Sequence, residues 1–287
     1  MKTGLFSFIL IIVIGVAPET WARWSSHQHC AQSLEDIKSE LGKDPDDRFR
    51  GLVTHAVPLT TTTMIEAYPM GLFPWFITEM GTAAWFNPPK RGILWLDDIK
   101  FTSKELQFFR NAHKKYHWTL DGDFAKVIER CAKLRQGDTW ISDDYLQEYP
   151  KLAEMGLAHS IEIWRNDNNK FAGGLYGVDI NGTFTGESIV REPGEPHIDK
   201  YALYILSNLL RSVGRKWIDT QVQTPLIKQV GGKLVARDPQ VLAQLVKQMD
   251  RDIVEHVDFE TMRAEAQAEA KPFPKAPIEI SEATSYH

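Results

Sequence analysis

The sequence predicts a domain of the α/β or α+β class that is built on a mixed β-sheet. Segments with helical spacing of apolar residues are interspersed with segments in which apolar and polar residues alternate. From residue 142 onward these segments follow the order α-β-β-β-α-β-α. An Asn181-Gly182 pair between two alternating segments also predicts a β-hairpin. A chain of 287 residues is long enough for one large or two modest domains of this kind.

The elements before residue 142 are short. We expect a helix over Thr61–Met70 that ends at Gly71, followed by loops and short strands in the aromatic, Pro- and Gly-rich stretch Phe73–Trp95. A further helix is predicted over Asp123–Arg135, because five apolar residues recur there at helical spacing. Its other face carries a stripe of basic residues, which is either a solvated face or a nucleic-acid contact. The stripe consists of Lys126, Arg130 and Lys133.

The later elements have clearer boundaries. Ser142 is expected to cap a helix that runs to Met155 and is kinked or divided at Pro150. Gly214 is expected to end an amphipathic helix that begins at Asp199. The predicted strands are Ser160–Trp164, Phe171–Ile180, Thr183–Glu187 and Lys216–Gln223, and a last helix is predicted from Asp238-Pro239 to about Val257.

Composition excludes some functions. The net charge of −5 argues against a general nucleic-acid coat, although it allows a local basic patch. The two cysteines, Cys30 and Cys131, form no C-x-x-C motif, and the nine histidines form no H-E-x-x-H motif. We therefore expect no structural or catalytic metal.

The two ends of the chain differ from its middle. Lys2 is followed by an apolar run, Leu5–Ala17, and by small residues at Thr20 and Ala22, positions −3 and −1 of a possible cleavage site, so residues 1–22 resemble a signal peptide or membrane anchor. A buried N-terminal strand or helix is the alternative. Residues 23–50 are expected to be a linker, and residues 260–287 a disordered tail.

The strand Lys216–Gln223 is the most informative segment for function. Its period of two places Asp219 and Gln221 on the same face, together with Trp217 and Gln223. A carboxylate and an amide held one strand repeat apart are costly to bury unless they are hydrogen-bonded. The pair therefore belongs either in a cleft or on the solvated face of an edge strand.

Several motifs in a fixed order make this chain similar to a known family. They are Glu66-Ala-Tyr68, Gly71-Leu-Phe-Pro-Trp-Phe76, Trp85-Phe-Asn-Pro88 with Arg91, Thr139-Trp-Ile-Ser142, Gly156-Leu-Ala-His-Ser-Ile-Glu162, Gly173-Gly-Leu-Tyr-Gly177, Gly186-Glu-Ser188 and Asp219-Thr-Gln221. From about Gly51 to Met249 this set resembles the leucyl/phenylalanyl-tRNA–protein transferases. The resemblance implies an α+β protein with a small N-terminal domain (51–100) and a GNAT-type acyltransferase-like catalytic domain (101–259).

The resemblance also implies roles for individual residues. Asp219 and Gln221 match the family's catalytic pair. The other matching positions are expected to bind substrate: Glu187 and Ser188 in the G-E-S motif, Leu175, Ile189 and Ile218 in the amino-acid pocket, and Trp85 and Phe86, which would stack on the terminal adenosine of tRNA. An inter-domain core is the alternative for the two aromatic residues.

The implied activity is the transfer of Leu, Phe or a similar apolar amino acid from aminoacyl-tRNA to the N-terminal Arg or Lys of a protein. It would place a monomeric enzyme in the cytoplasm, within protein degradation by the N-end rule, and would need no cofactor. The signal-like residues 1–22 point instead to an exported or anchored protein. The alternative is accordingly an acyltransferase-fold protein with a different acyl donor, or a non-catalytic relative.

Some positions depart from the family pattern. The segment after Ser188 reads Ile189-Val-Arg-Glu192 where the family has M-F-S-R, and the family's His after D-x-Q is missing from Gln223–Ile227. An acyl-CoA donor is disfavoured, because Arg211-Ser-Val-Gly-Arg-Lys216 fails the last position of the [QR]-x-x-G-x-[GA] phosphate loop. These departures leave the choice of donor and acceptor open.

Overall fold

The computed structural model of the protein describes residues 52–88, 90–134 and 139–236. Its smaller sheet is antiparallel and has the strand order β1-β3-β2. The strands are β1 (Leu52–Val57), β2 (Phe73–Ile77) and β3 (Ala83–Phe86). Between β1 and β2 lie α1 (Thr61–Ala67) and one 3₁₀ turn (Tyr68–Met70), which ends at Gly71 with a φ of 75°. The predicted helix over this segment is confirmed.

The larger sheet has the strand order β10-β4-β9-β8-β7-β6-β5. The strands are β4 (Lys90–Trp95), β5 (Tyr116–Leu120), β6 (Ala158–Arg165), β7 (Phe171–Ile180), β8 (Thr183–Arg191), β9 (Trp217–Gln221) and β10 (Lys233–Ala236). Neighbouring strands are antiparallel except β8 and β9, which are parallel. The predicted mixed sheet is therefore confirmed.

Helices flank both faces of the larger sheet. They are α2 (Ser103–Ala112), α3 (Phe124–Leu134), α4 (Asp143–Glu154), α5 (Ile198–Ser212) and α6 (Pro225–Gln229). The buried residues of α3 and α4 share one core with the smaller sheet, whereas those of α2 and α5 belong to a second core on the opposite face. The fold is of the α+β class, as the sequence predicts.

The crossover from β8 to β9 runs through α5, because parallel neighbours cannot be joined by a short hairpin. The β7–β8 hairpin turns at Asn181 and Gly182, both with positive φ, as the Asn-Gly pair predicts. Ser142 lies at the N-cap of α4, but its side chain makes no capping hydrogen bond. Pro150 lies inside α4, and the helix continues through it to Glu154. Of the two expected effects of Pro150, division of the helix is wrong, and a kink stays a prediction.

Some sequence predictions fall outside the described residues. These are the signal-like segment 1–22, the linker 23–50, the helix from Asp238 and the tail 260–287. The domain boundaries stay predictions, although β4, which belongs to the proposed N-terminal part, pairs within the larger sheet. Within residues 52–88, 90–134 and 139–236, no helix is both long and apolar enough to span a membrane.

Candidate active site

A pocket opens where the two parallel strands separate. The strands β8 and β9 pair at two positions, Phe184 with Ile218 and Thr185 with Asp219. Beyond these pairs, residues 186–189 of β8 and 220–222 at the end of β9 line the pocket, which has a volume of about 880 Å³. In a parallel sheet, such a gap exposes the carboxyl ends of both strands to a ligand. The fold therefore places side chains of two strands around one opening.

Glu187 lies at an irregularity of β8. Tyr176 of β7 pairs with Ser188, whereas the next residue, Gly177, pairs with Gly186, so Glu187 is an extra residue in the ladder. A β-bulge of this kind redirects side chains that would otherwise alternate between the faces of the sheet. Glu187 and Ser188, although adjacent in the chain, both line the pocket.

Gln221 lies at a second irregularity, at the end of β9. Its φ of 61° is in the left-handed region, which non-glycine residues adopt rarely. The carboxylate Oδ1 of Asp219 accepts the backbone N–H of Gln221 at 2.9 Å and so stabilises this conformation. Gln221 lines the pocket, whereas Asp219 is 0% exposed and points away from it. The expectation that both side chains share one face of a cleft is wrong, because the left-handed residue breaks the alternation.

Asp219 is instead the centre of a buried ion pair with Arg91 of β4. The Nε of Arg91 lies 2.8 Å from Oδ1 of Asp219, and the second guanidinium nitrogen lies 2.9 Å from Oδ2. The remaining nitrogen donates to the carbonyl oxygen of Gly71 at 2.9 Å, and the guanidinium lies 4.6 Å from the ring centroid of Phe73. The pair ties the larger sheet to the turn that precedes β2.

Glu187 accepts hydrogen bonds from three side chains. Its Oε1 accepts from the hydroxyl of Tyr68 at 2.8 Å and from Nε2 of Gln221 at 2.8 Å. Its Oε2 accepts from the hydroxyl of Tyr149 at 3.3 Å, and the two tyrosine hydroxyls lie 2.9 Å apart. The Gln221 contact joins the two separated strands across the pocket.

Burial raises the pKa of Glu187 to about 7, and the negative charge of Asp219 adds to this effect. The hydrogen bonds from Tyr68 and Gln221 act in the opposite direction but do not cancel it. Burial also raises the pKa of Tyr68 and of Tyr149 well above the usual value, so both phenols remain protonated donors. Glu187 therefore changes its protonation state near neutral pH.

The described ranges hold no cluster of three or more His, Cys, Asp or Glu suited to a metal ion.

Comparison with known proteins gives a consistent result. A family model described as leucyl/phenylalanyl-tRNA protein transferase matches residues 93–247. A leucyl/phenylalanyl-tRNA–protein transferase of Hydrogenovibrio crunogenus is 35% identical over 191 residues, which cover 66% of this chain and 72% of that protein. This chain belongs to the leucyl/phenylalanyl-tRNA–protein transferase family. A second relative, from Pseudoalteromonas translucida, carries the same name and is 36% identical over 200 residues, covering 68% of this chain and 79% of its own.

Solved structures resemble this chain more remotely. A GCN5-related N-acetyltransferase from Sphaerobacter thermophilus is 11% identical, with a TM-score of 0.33, over 76% of this chain and 65% of that one. The L-PGS from Bacillus licheniformis is 12% identical, with a TM-score of 0.32, over 72% of this chain and 62% of that one.

The pocket of this transferase-family chain brings together most of the substrate-binding residues expected from its sequence. Its apolar wall contains the three predicted positions and three more aliphatic or aromatic side chains from β8 and α5. These six residues are Leu175, Ile189 and Ile218, joined by Phe184, Leu203 and Leu206. Ser188 also lines the pocket, and its buried Oγ has no hydrogen-bond partner within the described part of the chain.

The expectation that Trp85 and Phe86 stack on the tRNA end is wrong. Their side chains are 0% and 3% exposed, and the indole of Trp85 donates to the carbonyl oxygen of Val57 at 3.0 Å. Neither residue lines the pocket, because β3 is the central strand of the smaller sheet and its side chains pack into a core. Of the two interpretations of the sequence, the core fits these positions.

Other aromatic rings of the family motifs reach the pocket instead. Trp75 and Phe76 of β2 line it, as does Trp140 in the segment before α4, and all three are partly exposed. Phe86 supports Trp75 from behind, with ring centroids 4.9 Å apart. The sequence contained these residues in its F-P-W-F and T-W-I-S motifs, but no local pattern distinguishes a ring on the pocket wall from a ring in the core.

Tyr68, Tyr149 and Arg91 were also not assigned to the site from sequence. Tyr68 and Arg91 belong to quoted motifs, and Tyr149 lies in α4. Their contacts to Glu187 and Asp219 span from 38 to 128 residues along the chain, so residue spacing carries no sign of them.

Proposed function

We propose that this protein transfers Leu, Phe or a similar apolar amino acid from aminoacyl-tRNA to the N-terminus of a protein beginning with Arg or Lys. The observation that carries the proposal is a single pocket that joins an apolar wall to the Glu187–Gln221 pair on two separating strands. Membership of the transferase family supports the reaction class. The product would be a new peptide bond that directs the protein to degradation by the N-end rule.

The apolar wall suits the side chain of the donor amino acid. Leu175, Ile189 and Ile218 meet there between the sheet and α5, and they offer no polar partner to a charged side chain. Burial of a leucine or phenylalanine side chain contributes about 1.5–3 kcal/mol, which is enough to select it against polar amino acids. The donor choice would follow from this wall.

The aromatic side of the pocket suits the 3′ end of the tRNA. Bases of single-stranded nucleic acid stack on aromatic side chains, with a contribution of about 1–3 kcal/mol per base. Trp75 and Trp140 line the pocket and are partly exposed. We assign the stacking role to them in place of Trp85 and Phe86.

The chemistry itself needs little activation. An N-terminal amine with a pKa of roughly 7.7–8.0 is partly neutral at pH 7 and can attack the ester carbonyl directly. Conversion of an ester to an amide is energetically downhill, so neither ATP nor a metal is required. The protein must orient the amine at the carbonyl, move one proton and stabilise the oxyanion.

Gln221 is placed to orient the amine. Its Nε2 donates to Glu187, and this contact fixes which way the amide points. Its Oε1 is then available to accept an N–H of the incoming amine. Asp219 acts as a positioning residue, because its carboxylate is paired with Arg91 and holds the backbone of Gln221. The alternative in which Asp219 relays the proton requires breaking that ion pair.

The proposed choice of an acceptor that begins with Arg or Lys is supported by family membership alone. Among the described residues that line the pocket, Glu187 is the one with a carboxylate. The lining therefore contains no second acid that would bind the Arg or Lys side chain of the acceptor.

We propose a monomer that acts where charged tRNA is available, in the cytoplasm.

The test is an assay with radiolabelled leucyl- or phenylalanyl-tRNA and a peptide that begins with Arg. We expect label in the peptide, and no transfer to the same peptide after N-acetylation. Gln221→Ala should reduce turnover by at least about 100-fold, whereas Leu234→Ala, at an exposed position, should not. Labelling from an acyl-CoA but not from aminoacyl-tRNA would favour an acyltransferase with another donor.

A further inference from the structure

The proposed transfer must move one proton, and only some of the site's groups can hold it. The amine nitrogen loses a proton as the new C–N bond forms, and the ribose oxygen gains one as the ester C–O bond breaks. Gln221 cannot titrate. Asp219 is 0% exposed, with one carboxylate oxygen bound to Nε of Arg91 and the other to a terminal nitrogen. Neither member of the expected catalytic pair is therefore suited to take up this proton.

Glu187 has the position and the free capacity for the task. Glu187 lines the pocket, and its carboxylate contacts Gln221, the residue that we expect to hold the amine. Its Oε1 already accepts two hydrogen bonds, from Tyr68 and Gln221, whereas Oε2 accepts one long contact of 3.3 Å from Tyr149. A carboxylate offers about four acceptor sites. Oε2 can therefore accept a further hydrogen.

We propose that Glu187 is the proton acceptor and donor of the transfer reaction, and that Asp219 only positions Gln221. This inference rests on the proposed function. As the neutral amine adds to the ester carbonyl, one N–H proton passes to Oε2 of Glu187. When the tetrahedral intermediate collapses, the C–O bond to the ribose breaks and the same proton passes to the departing ribose oxygen. The carboxylate is regenerated, and no other reactant is needed.

The surroundings of Glu187 fit this cycle. Four phenols face it or its hydrogen-bonded neighbours: Tyr68 from the turn after α1, Tyr145 and Tyr149 from α4, and Tyr176 from β7. The nearby charge is Asp219, which is itself paired with Arg91. Because burial raises the pKa of Glu187 to about 7, both forms of the carboxyl are populated at neutral pH. A group with a pKa close to the working pH is the most effective general base.

The experiment is the pH dependence of single-turnover transfer by the full chain, in wild type and in two isosteric variants. Wild type should gain activity as the pH rises through about 7, since only the ionised carboxylate can accept a proton. Glu187→Gln keeps an acceptor for Tyr68 but cannot titrate. We expect it to be about 10²- to 10⁴-fold slower and to lack this inflection. Asp219→Asn should be slower but should keep the inflection.

Two controls separate the contributions. The inflection of the acceptor amine is identified with two Arg-starting peptides whose amines differ in pKa, because it moves with the peptide whereas that of Glu187 does not. Binding of an aminoacyl-adenosine analogue should change less than threefold in Glu187→Gln. If this variant fails to fold, carboxyl ¹³C NMR of labelled wild-type protein replaces it, and a glutamate that titrates near pH 7 is expected.

The outcomes are distinct. A peptide-independent inflection near pH 7 that is retained in Glu187→Gln, or lost in Asp219→Asn, would overturn the assignment of the proton to Glu187, and so would the absence of any glutamate that titrates near pH 7. Wild-type protein that transfers from no aminoacyl-tRNA would overturn the proposed function itself.

Discussion

Arg91 and Asp219 form a bidentate ion pair in which both side chains are 0% exposed. The pair connects β4 to β9 beside Thr220 and Gln221, which line the pocket. Buried charges of this kind are costly to leave unpaired, because water cannot replace the missing partner. The ion pair therefore stabilises the fold beside the pocket. Its contribution to stability and its contribution to turnover can be measured separately with variants.

Arg91→Met should lower the free energy of unfolding by about 3–5 kcal/mol, because it leaves Asp219 buried and unpaired. The double variant Arg91→Met/Asp219→Leu should regain much of that stability while remaining poorly active, since Gln221 loses its backbone acceptor. Urea unfolding measures the stability. Arg130→Met is the matched control, because its pair with Glu192 is partly exposed, at 26% and 19%, and should contribute no more than about 1 kcal/mol. Equal losses in the two single variants would contradict this interpretation.

Gln221→Gly should be more stable than Gln221→Ala by about 1 kcal/mol. Both variants lack the amide and its contact to Glu187, but only glycine adopts the left-handed conformation at φ 61° without steric cost. Thermal unfolding of the two proteins gives the difference directly. An alanine variant as stable as the glycine variant would indicate that the backbone changes conformation once the side chain is removed.

Trp75→Ala and Trp85→Ala should fail in different ways. Trp75 is partly exposed on the pocket wall, so its loss should weaken binding of an aminoacyl-adenosine analogue by about 1–3 kcal/mol and leave folding intact. Trp85 is 0% exposed, so its loss should destabilise the fold by about 3–5 kcal/mol. Equilibrium binding and chemical unfolding of both variants distinguish the two roles. Stable Trp85→Ala protein with weakened donor binding would reverse the assignment.

Glu187→Gln should be more stable than wild type at alkaline pH. The folded protein raises the pKa of Glu187 from 4.5 to about 7, so the wild type loses stability as the pH rises between these values. Gln carries no charge at any pH, and the difference should reach at most about 3 kcal/mol at pH 8 and disappear near pH 4. Unfolding curves at both pH values test this. A constant difference across the range would indicate that Glu187 does not titrate in the folded state.

Local patterns were sufficient for much of the fold. The Asn181-Gly182 hairpin, the apolar spacing of α3 and the glycine stop after α1 each follow from interactions within a few residues. The order of strands in the larger sheet does not, because it depends on contacts between distant segments. Pro150 shows that local patterns can also mislead. Proline disfavours helix, yet Pro150 lies inside α4, because the buried face of that helix packs in the core.

At the site, the sequence indicated which segments matter but not how their side chains are directed. Leu175, Ile189 and Ile218 meet in the pocket, at the positions that the family motifs indicated. Asp219 lies outside the pocket, between Ile218 and Thr220, which line it, and Gln221 reaches the pocket because its positive φ breaks the alternation. Trp85 shows the same limit among the aromatic residues, since its neighbours on β1 and β2 decide that it is buried. Bulges and strand neighbours depend on tertiary contacts, so they cannot be deduced from the local patterns of one sequence.

The pocket is lined by two groups of residues that different features of the fold hold in place. The residues that would perform the chemistry are held by backbone features, the bulge at Glu187 and the left-handed turn at Gln221. The residues that would choose the amino acid are interchangeable aliphatic side chains facing α5, such as Leu175 and Ile189. Substitutions in the second group therefore reshape the cavity without disturbing the first. The same scaffold could be evolved, in nature or in the laboratory, toward amino acids of other sizes with its reactive centre unaltered.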